Sequence, residues 1–178
     1  MPLVVEDGTG LPNAESYCSV VEASAFHTAR GNADWAAVAS DTVREELLRK
    51  ATDYMKQLYR LAWAGARKTS TQALDWPRVW VPIPDLSTRY YGSYYPAGYF
   101  SDSAVPQDVK DACAMLALKA ISGDLLQDTD RLTKSESVGS ISVTYADDGA
   151  RKYPVYQAID SLLAPWLENN GQGSVMRA

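Results

Sequence analysis

At 178 residues, with 46% apolar and 22% charged side chains, the chain has the length and make-up of one folded domain and falls outside the disordered and collagen-like classes. Its net charge of -5 is a poor starting point for tight non-specific nucleic-acid binding, which draws on many Lys and Arg contacts to phosphate. Cys18 and Cys113 lie 95 positions apart with no further Cys or His at metal-ligand spacing, so the expectation is two reduced, buried thiols, with no metal, no cofactor and no disulfide framework.

The N-terminal MPLVVEDGTG has neither the basic region nor the apolar run of a signal peptide, and no stretch is apolar for long enough to cross a membrane. A soluble product without an anchor is expected. PLVV at 2–5 predicts a short extended piece running into a turn, and LPNAESYCS returns as a second. Ser19 with Glu22 three residues on is a capping box, and Gly31 is a stop signal, which predicts a helix over 20–30. Asn32 or Asp34 starts a short turn through Trp35 to Val38. Ser40 then caps a long amphipathic helix, in which Val43, Leu47, Ala51, Tyr54 and Leu58 share a face and Glu45–Arg49 and Glu46–Lys50 are i,i+4 pairs on the other.

Beyond it, TSTQAL opens a short helix that Pro77 ends. From 82 to 104 Pro, Gly and Ser recur so often that a long irregular loop is predicted. Pro106 launches another helix carrying Val109, Ala112, Cys113, Leu116 and Ala120 on one face, stopped by Gly123. Ile141, Val143 and Tyr145 alternate with Ser142 and Thr144, which predicts a β-hairpin or extended arm over 132–146. Val155, Ile159, Leu162, Leu163 and Trp166 mark a last helix, and a mobile polar tail closes the chain. The expectation is a mainly α fold: one small helical bundle over 1–167, with an inserted loop at 82–104, the arm at 132–146, and a tail at 168–178.

Catalytic constellations are hard to assemble from this inventory, and no enzyme is expected. His27 is the lone histidine, more often a packing or surface residue than a base. There is no G-x-S-x-G, H-E-x-x-H, P-loop or G-x-G-x-x-G, and Asp147-Asp148-Gly149 reads as a turn. The unusual stretch is RYYGSYYPAGYF at 89–100. Tyr90, Tyr91, Tyr94, Tyr95, Tyr99 and Phe100 offer a stacking platform for nucleic acid, a protein-binding patch, or a cover for the chain's own core. Stacking platforms pair aromatics with a basic groove, whereas between 82 and 104 only Arg89 is basic, beside Asp85 and Asp102. Contact with a neighbouring subunit or a tail component is therefore favoured, because tyrosine gives large amphipathic area at small entropic cost. The one place where bases and aromatics interleave is Arg60, Arg67, Lys68 and Arg78 with Trp63, Trp76 and Trp80. That cluster is the candidate for single-strand binding, set against the reading that its tryptophans fill the core.

Taken together, SYCSVVEASAFHTARGNADWA, LLRKATDYM, QALDWPR, VPQDVKDACAMLAL, VGSISVTYA and YPVYQAIDSLLAPWL resemble the head-tail adaptor (connector) proteins of tailed bacteriophages. Some members of that group are labelled DnaT-like single-stranded-DNA-binding proteins. The resemblance implies a virion protein of the neck, made in the host cytoplasm, that forms a ring, usually twelvefold, under the portal protein. Such a ring extends the DNA channel, passes DNA without sequence-specific binding, and presents a docking surface for a tail or stopper protein. It also implies portal contacts from the C-terminal segment, here Trp166, Leu167, Val175, Met176 and Arg177, and a neighbour- or channel-facing role for 132–146. Twenty-six residues separate Arg78 from Val105, more than the resemblance leads one to expect, so the tyrosine stretch is a local insertion whose role is not carried over.

Overall fold

The computed structural model describes residues 1–84, 86–90, 93–96, 98–126, 135–138, 141–144 and 156–168, the four-residue strands among them by their backbone. The fold is mainly helical. Helix α1 spans Val20–Ala29, α2 Ala33–Ala36, α3 Asp41–Tyr59, α4 Gln107–Lys119 and α5 Gln157–Leu163, the last two each running into a 3-10 turn. Among the described residues, no helix is long and apolar enough to cross a membrane.

The local signals act where the sequence puts them. The Ser19 hydroxyl accepts from the Glu22 amide while the Glu22 carboxylate accepts from the Ser19 amide, which satisfies two otherwise orphaned donors at the start of α1. Ser40 caps α3 in the same way through the Val43 amide. Helix α4 starts after Pro106 and ends beyond its 3-10 turn at Gly123, whose φ of 144° only glycine adopts easily.

Helix α3 packs on α4, and α4 in turn packs on α5 and α1. Leu48, Ala51 and Met55 from α3 meet Val109, Ala112, Cys113, Leu116 and Ala117 from α4, with Ile159 and Leu163 from α5, all fully buried. Burying a Leu or Met side chain of this kind contributes about 1.5–3 kcal/mol. The buried stripe of α3 is turned from the expected one: Leu48, Thr52, Met55 and Tyr59 join Leu47, Ala51 and Tyr54, while Val43 is exposed and Leu58 half-buried. The cause is the wrap of neighbours around both sides of α3, which covers more than one stripe. Of the two expected ion pairs, Arg49 reaches Glu45 at 3.6 Å and also Glu15 at 3.0 Å, whereas Lys50 reaches Asp124.

The segment 66–79 closes as a two-residue ladder, β1 (Ala66–Arg67) antiparallel to β2 (Arg78–Val79). TSTQAL inside it is not a helix. Thr69 and Gln72 exchange side-chain to backbone bonds as a capping box would, but the Gln72 amide then donates to the Leu74 and Pro77 carbonyls and the Ala73 amide to Leu11. These partners, Leu11 the distant one among them, hold a turn where helix propagation would have needed several more residues before Pro77.

The tyrosine-rich excursion carries one regular element. Strands β3 (Ser87–Tyr90) and β4 (Ser93–Pro96) pair antiparallel, with Thr88 opposite Tyr95 and Arg89 opposite Tyr94. Thr and Tyr favour extended backbone, which outweighs the flanking Pro and Gly. Strands β5 (Ser135–Val138) and β6 (Ile141–Thr144) form the second hairpin, inside the expected arm. At the N-terminus the two extended pieces meet in a single parallel bridge, Val5 to Ser16. Between them the buried Glu6 carboxylate accepts from the Gly8, Gly10 and Leu11 amides at 2.9–3.0 Å. Gly8 is required there: its φ is 96°, and a Cβ would fall 2.1 Å from the Ser103 carbonyl oxygen. The C-terminal tail beyond 168 and the 145–155 stretch with Asp147, Asp148 and Val155 lie outside the described residues.

Candidate functional site

The W-P-R corner and the base of the tyrosine hairpin adjoin one another, and together they hold most of the residues singled out by sequence. Arg78 starts β2 and points inward, its side chain only 6% exposed. Its Nε donates to the Ala64 carbonyl at 2.7 Å, Nη1 to Asp75 at 3.3 Å, and Nη2 to Trp63 at 3.2 Å and Gly65 at 2.7 Å. One guanidinium thus gathers the carbonyls of the 63–65 turn, a task its planar fork of donors suits and an ammonium does not. Burial lowers its proton affinity. Asp75 supplies the nearby negative charge; it is buried, and its Oδ1 accepts from Arg60 Nε at 2.9 Å.

Two of the three neighbouring tryptophans belong to the core. Trp76, which precedes Pro77 through a cis peptide bond, is fully buried and meets Trp63, Phe100 and Trp166 edge to face, with centroids 5.8–6.0 Å apart. Trp80 is the exception. It is 71% exposed and holds φ at 59°, the positive value found in no other non-glycine described residue. Beside it Gly65 allows the close approach of the two strands, since a Cβ there would lie 2.2 Å from the Val79 carbonyl oxygen.

The remaining basic residues are partly committed. Arg60 is half exposed but tied to Asp75, Arg67 is exposed and donates to the Gln72 carbonyl, and Lys68 stands 3.9 Å from Asp102. Of the set Arg60, Arg67, Lys68 and Arg78, the structure leaves Arg67 on the surface and draws Arg78 inside. The aromatic-basic groove legible in the sequence is therefore mostly a packed corner.

The aromatic stretch divides at its base. Tyr99 is 59% exposed and bridges Pro82, whereas Phe100 is half-buried, its ring 5.1 Å from Trp166 and 6.0 Å from Trp76. Phe100 thus does cover the chain's own core, and it anchors the hairpin to it. Tyr90, Tyr94 and Tyr95 lie on β3 and β4; Tyr91 lies outside the described residues. Among the residues expected to meet the portal, Trp166 is buried in the aromatic cluster and its indole N–H donates to Asp108 at 2.8 Å, and Leu167 is half-buried. Val175, Met176 and Arg177 lie outside the described residues.

Sequence reasoning missed a groove of about 510 Å³ beside this corner, lined by Trp80, Pro82, Ile83, Pro84, Pro165, Leu167 and Glu168 with Ala64 and Gly65. The run V-P-I-P just after an exposed tryptophan was its one signal. His27 is buried; its Nε2 lies 3.0 Å from the Ala114 carbonyl and its Nδ1 2.9 Å from the Asn32 amide nitrogen, so both ring nitrogens are engaged in packing. Burial is the main cause of its lowered pKa. Cys18 and Cys113 are free and buried, the Cys113 thiol within reach of Thr52 and Ser16.

A family model described as "Putative DnaT-like ssDNA binding protein" matches residues 1–178. No curated protein and no solved structure matches the chain.

Proposed function

The chain belongs to the DnaT-like ssDNA binding family, and on that premise we propose that it is a structural assembly protein, the ring adaptor between the portal vertex and the tail of a tailed phage. The observation that carries this reading is the inward turn of Arg78, Trp63 and Trp76. Residues that a strand-binding groove would present to DNA instead hold the corner of the domain together. An acidic chain suits the wall of a channel that DNA must pass through, since such a wall should not retain phosphate. The resemblance of its motifs, in their order along most of the chain, to those of connector proteins supports the same role. On this reading the partners are the portal, a tail or stopper protein and further copies of the chain in a ring, in the virion neck. No catalysis and no cofactor are invoked.

The family description favours a second reading, single-stranded-DNA binding. It would rest on Trp80 as a stacking surface, with Arg67, Arg60 and Lys68 as phosphate contacts, because base stacking on an exposed aromatic tolerates any sequence.

Affinity for a labelled oligothymidylate, measured across a salt series, separates the two. The adaptor reading expects negligible binding at physiological salt and ring formation on purified portal. A saturable complex weakening steeply with salt, from a chain that ignores portal, would overturn it.

A further inference from the structure

We propose that copies of the chain join head to tail, the exposed Trp80 of one entering the cleft between α1 and α2 of the next; this names the subunit contact of the ring and rests on the adaptor reading. Trp80 is 71% exposed and holds a backbone conformation that disfavours any side chain larger than glycine's. An aromatic kept exposed in that way suits a surface that a partner covers.

The cleft has a volume of about 510 Å³ and is lined by Ser24 and Thr28 of α1, Ala33 and Ala36 of α2, Asn32 between them and Arg44 of α3. It is open, and a Cβ added to Gly31 at its edge would meet nothing within 4 Å. The Asn32 amide nitrogen lies 2.9 Å from His27 Nδ1, and among the described residues nothing donates to the amide oxygen beside it. An indole N–H donates and never accepts, so the Trp80 ring brings the donor that this oxygen lacks.

Knob and cleft lie at opposite ends of α3. Arg44 stands in the first turns of that helix, while Trp80 lies beside Gly65 in the turn that follows Tyr59, its last residue. At 1.5 Å per residue, Arg44 and Tyr59 are about 22 Å apart along the axis. One copy therefore cannot fill its own cleft. A contact between two different patches is heterologous, and it closes into a ring when the rotation between copies permits.

Charge makes a second copy the fitting occupant. At the cleft end Asp34 and Glu46 are exposed with no described cation within ion-pair distance, since Lys50 reaches Asp124. At the knob end Arg67, on the strand paired with the one that leads into Trp80, is exposed with no described carboxylate in reach. An indole in a cleft with opposite charges at its rim has the make-up of an interface hot spot.

Two variants, each lacking one half of the contact, test it. Trp80→Ala keeps the cleft and loses the knob, whereas Ala36→Trp fills the cleft and keeps the knob. Each is checked for unchanged helicity, and each alone should sediment as a monomer at about 100 μM, where even weak specific contacts register. Mixed, they should give a one-to-one complex that grows no further, because the knob and cleft left over are the disabled ones. Arg67→Glu in the Ala36→Trp chain should weaken that complex roughly tenfold. A mixture that stays monomeric, or a complex indifferent to Arg67→Glu, would overturn the proposal. If the parent still forms a ring on portal in that case, the adaptor reading stands without this contact; a one-to-one complex from a chain that ignores portal supports the contact and removes the adaptor reading.

Discussion

Arg78 Nε lies 2.7 Å from the Ala64 carbonyl oxygen, at the centre of a fan of four backbone acceptors that the guanidinium satisfies from within the fold. A lysine placed there reaches one of them and leaves the rest without a donor. Arg78→Lys should therefore lower unfolding stability by about 2–4 kcal/mol, since each buried group left unpaired costs roughly 1–3 kcal/mol. Urea denaturation checks it, and a variant as stable as the parent would show the fan to be dispensable.

His27 gives a pH dependence of known sign. Its folded pKa is depressed by burial below the usual 6.5, so between the two values the unfolded chain binds the extra proton. Stability should accordingly be full above about pH 6.5 and decline as pH falls from there toward the folded value. His27→Gln, unable to titrate, should flatten that slope between pH 7 and pH 5.5 whatever it does to absolute stability. An unchanged slope in the variant would assign the effect to other groups.

The two halves of the aromatic stretch should respond differently. Replacing 87–96 by a short Gly-Ser link leaves Phe100 packed on Trp76 and Trp166, and the melting temperature should move little while assembly weakens. Phe100→Ala removes the ring packed on Trp76 and Trp166 and should cost about 2–3 kcal/mol, below the value for a fully buried Phe. Thermal melts of the two variants decide between a covering and an anchoring role.

Trp80 separates surface function from folding. Its ring is mostly in solvent, so Trp80→Ala should leave stability within about 0.5 kcal/mol of the parent. If single strands are bound, Trp80→Ala with Arg67→Glu should lose most of the affinity at constant stability, read by fluorescence anisotropy. On the adaptor reading the same pair changes nothing in a DNA titration.

The helices were legible because their signals are local. Ser19 with Glu22, Ser40, Pro106 and Gly123 act on backbone within a turn of themselves, and the alternation of Ile141 and Val143 marks its own strand. The W-P-R corner was half legible: the core role of Trp63 and Trp76 could be weighed, but the partners of Arg78 are carbonyls 13–15 residues away, which no spacing rule reveals. The TSTQAL turn failed for a related reason: the Ala73 amide bonds the distant Leu11 carbonyl, and the Gln72 side chain bonds Leu74 and Pro77. The β3–β4 pairing was hidden by Pro and Gly punctuation that read as loop. Of the groove only the V-P-I-P run was visible, since Trp80 and Pro165 are brought together by the docking of the chain end on Trp63.

Electron cryo-microscopy of the purified chain mixed with its portal tests the central claim most directly. The account predicts a closed ring of copies seated under the portal, coaxial with the channel, with the W-P-R corner inside each subunit and the tyrosine hairpin against a neighbour or a tail component. Portal particles without added density, alongside a chain that coats single-stranded DNA through Trp80 and Arg67, would contradict it.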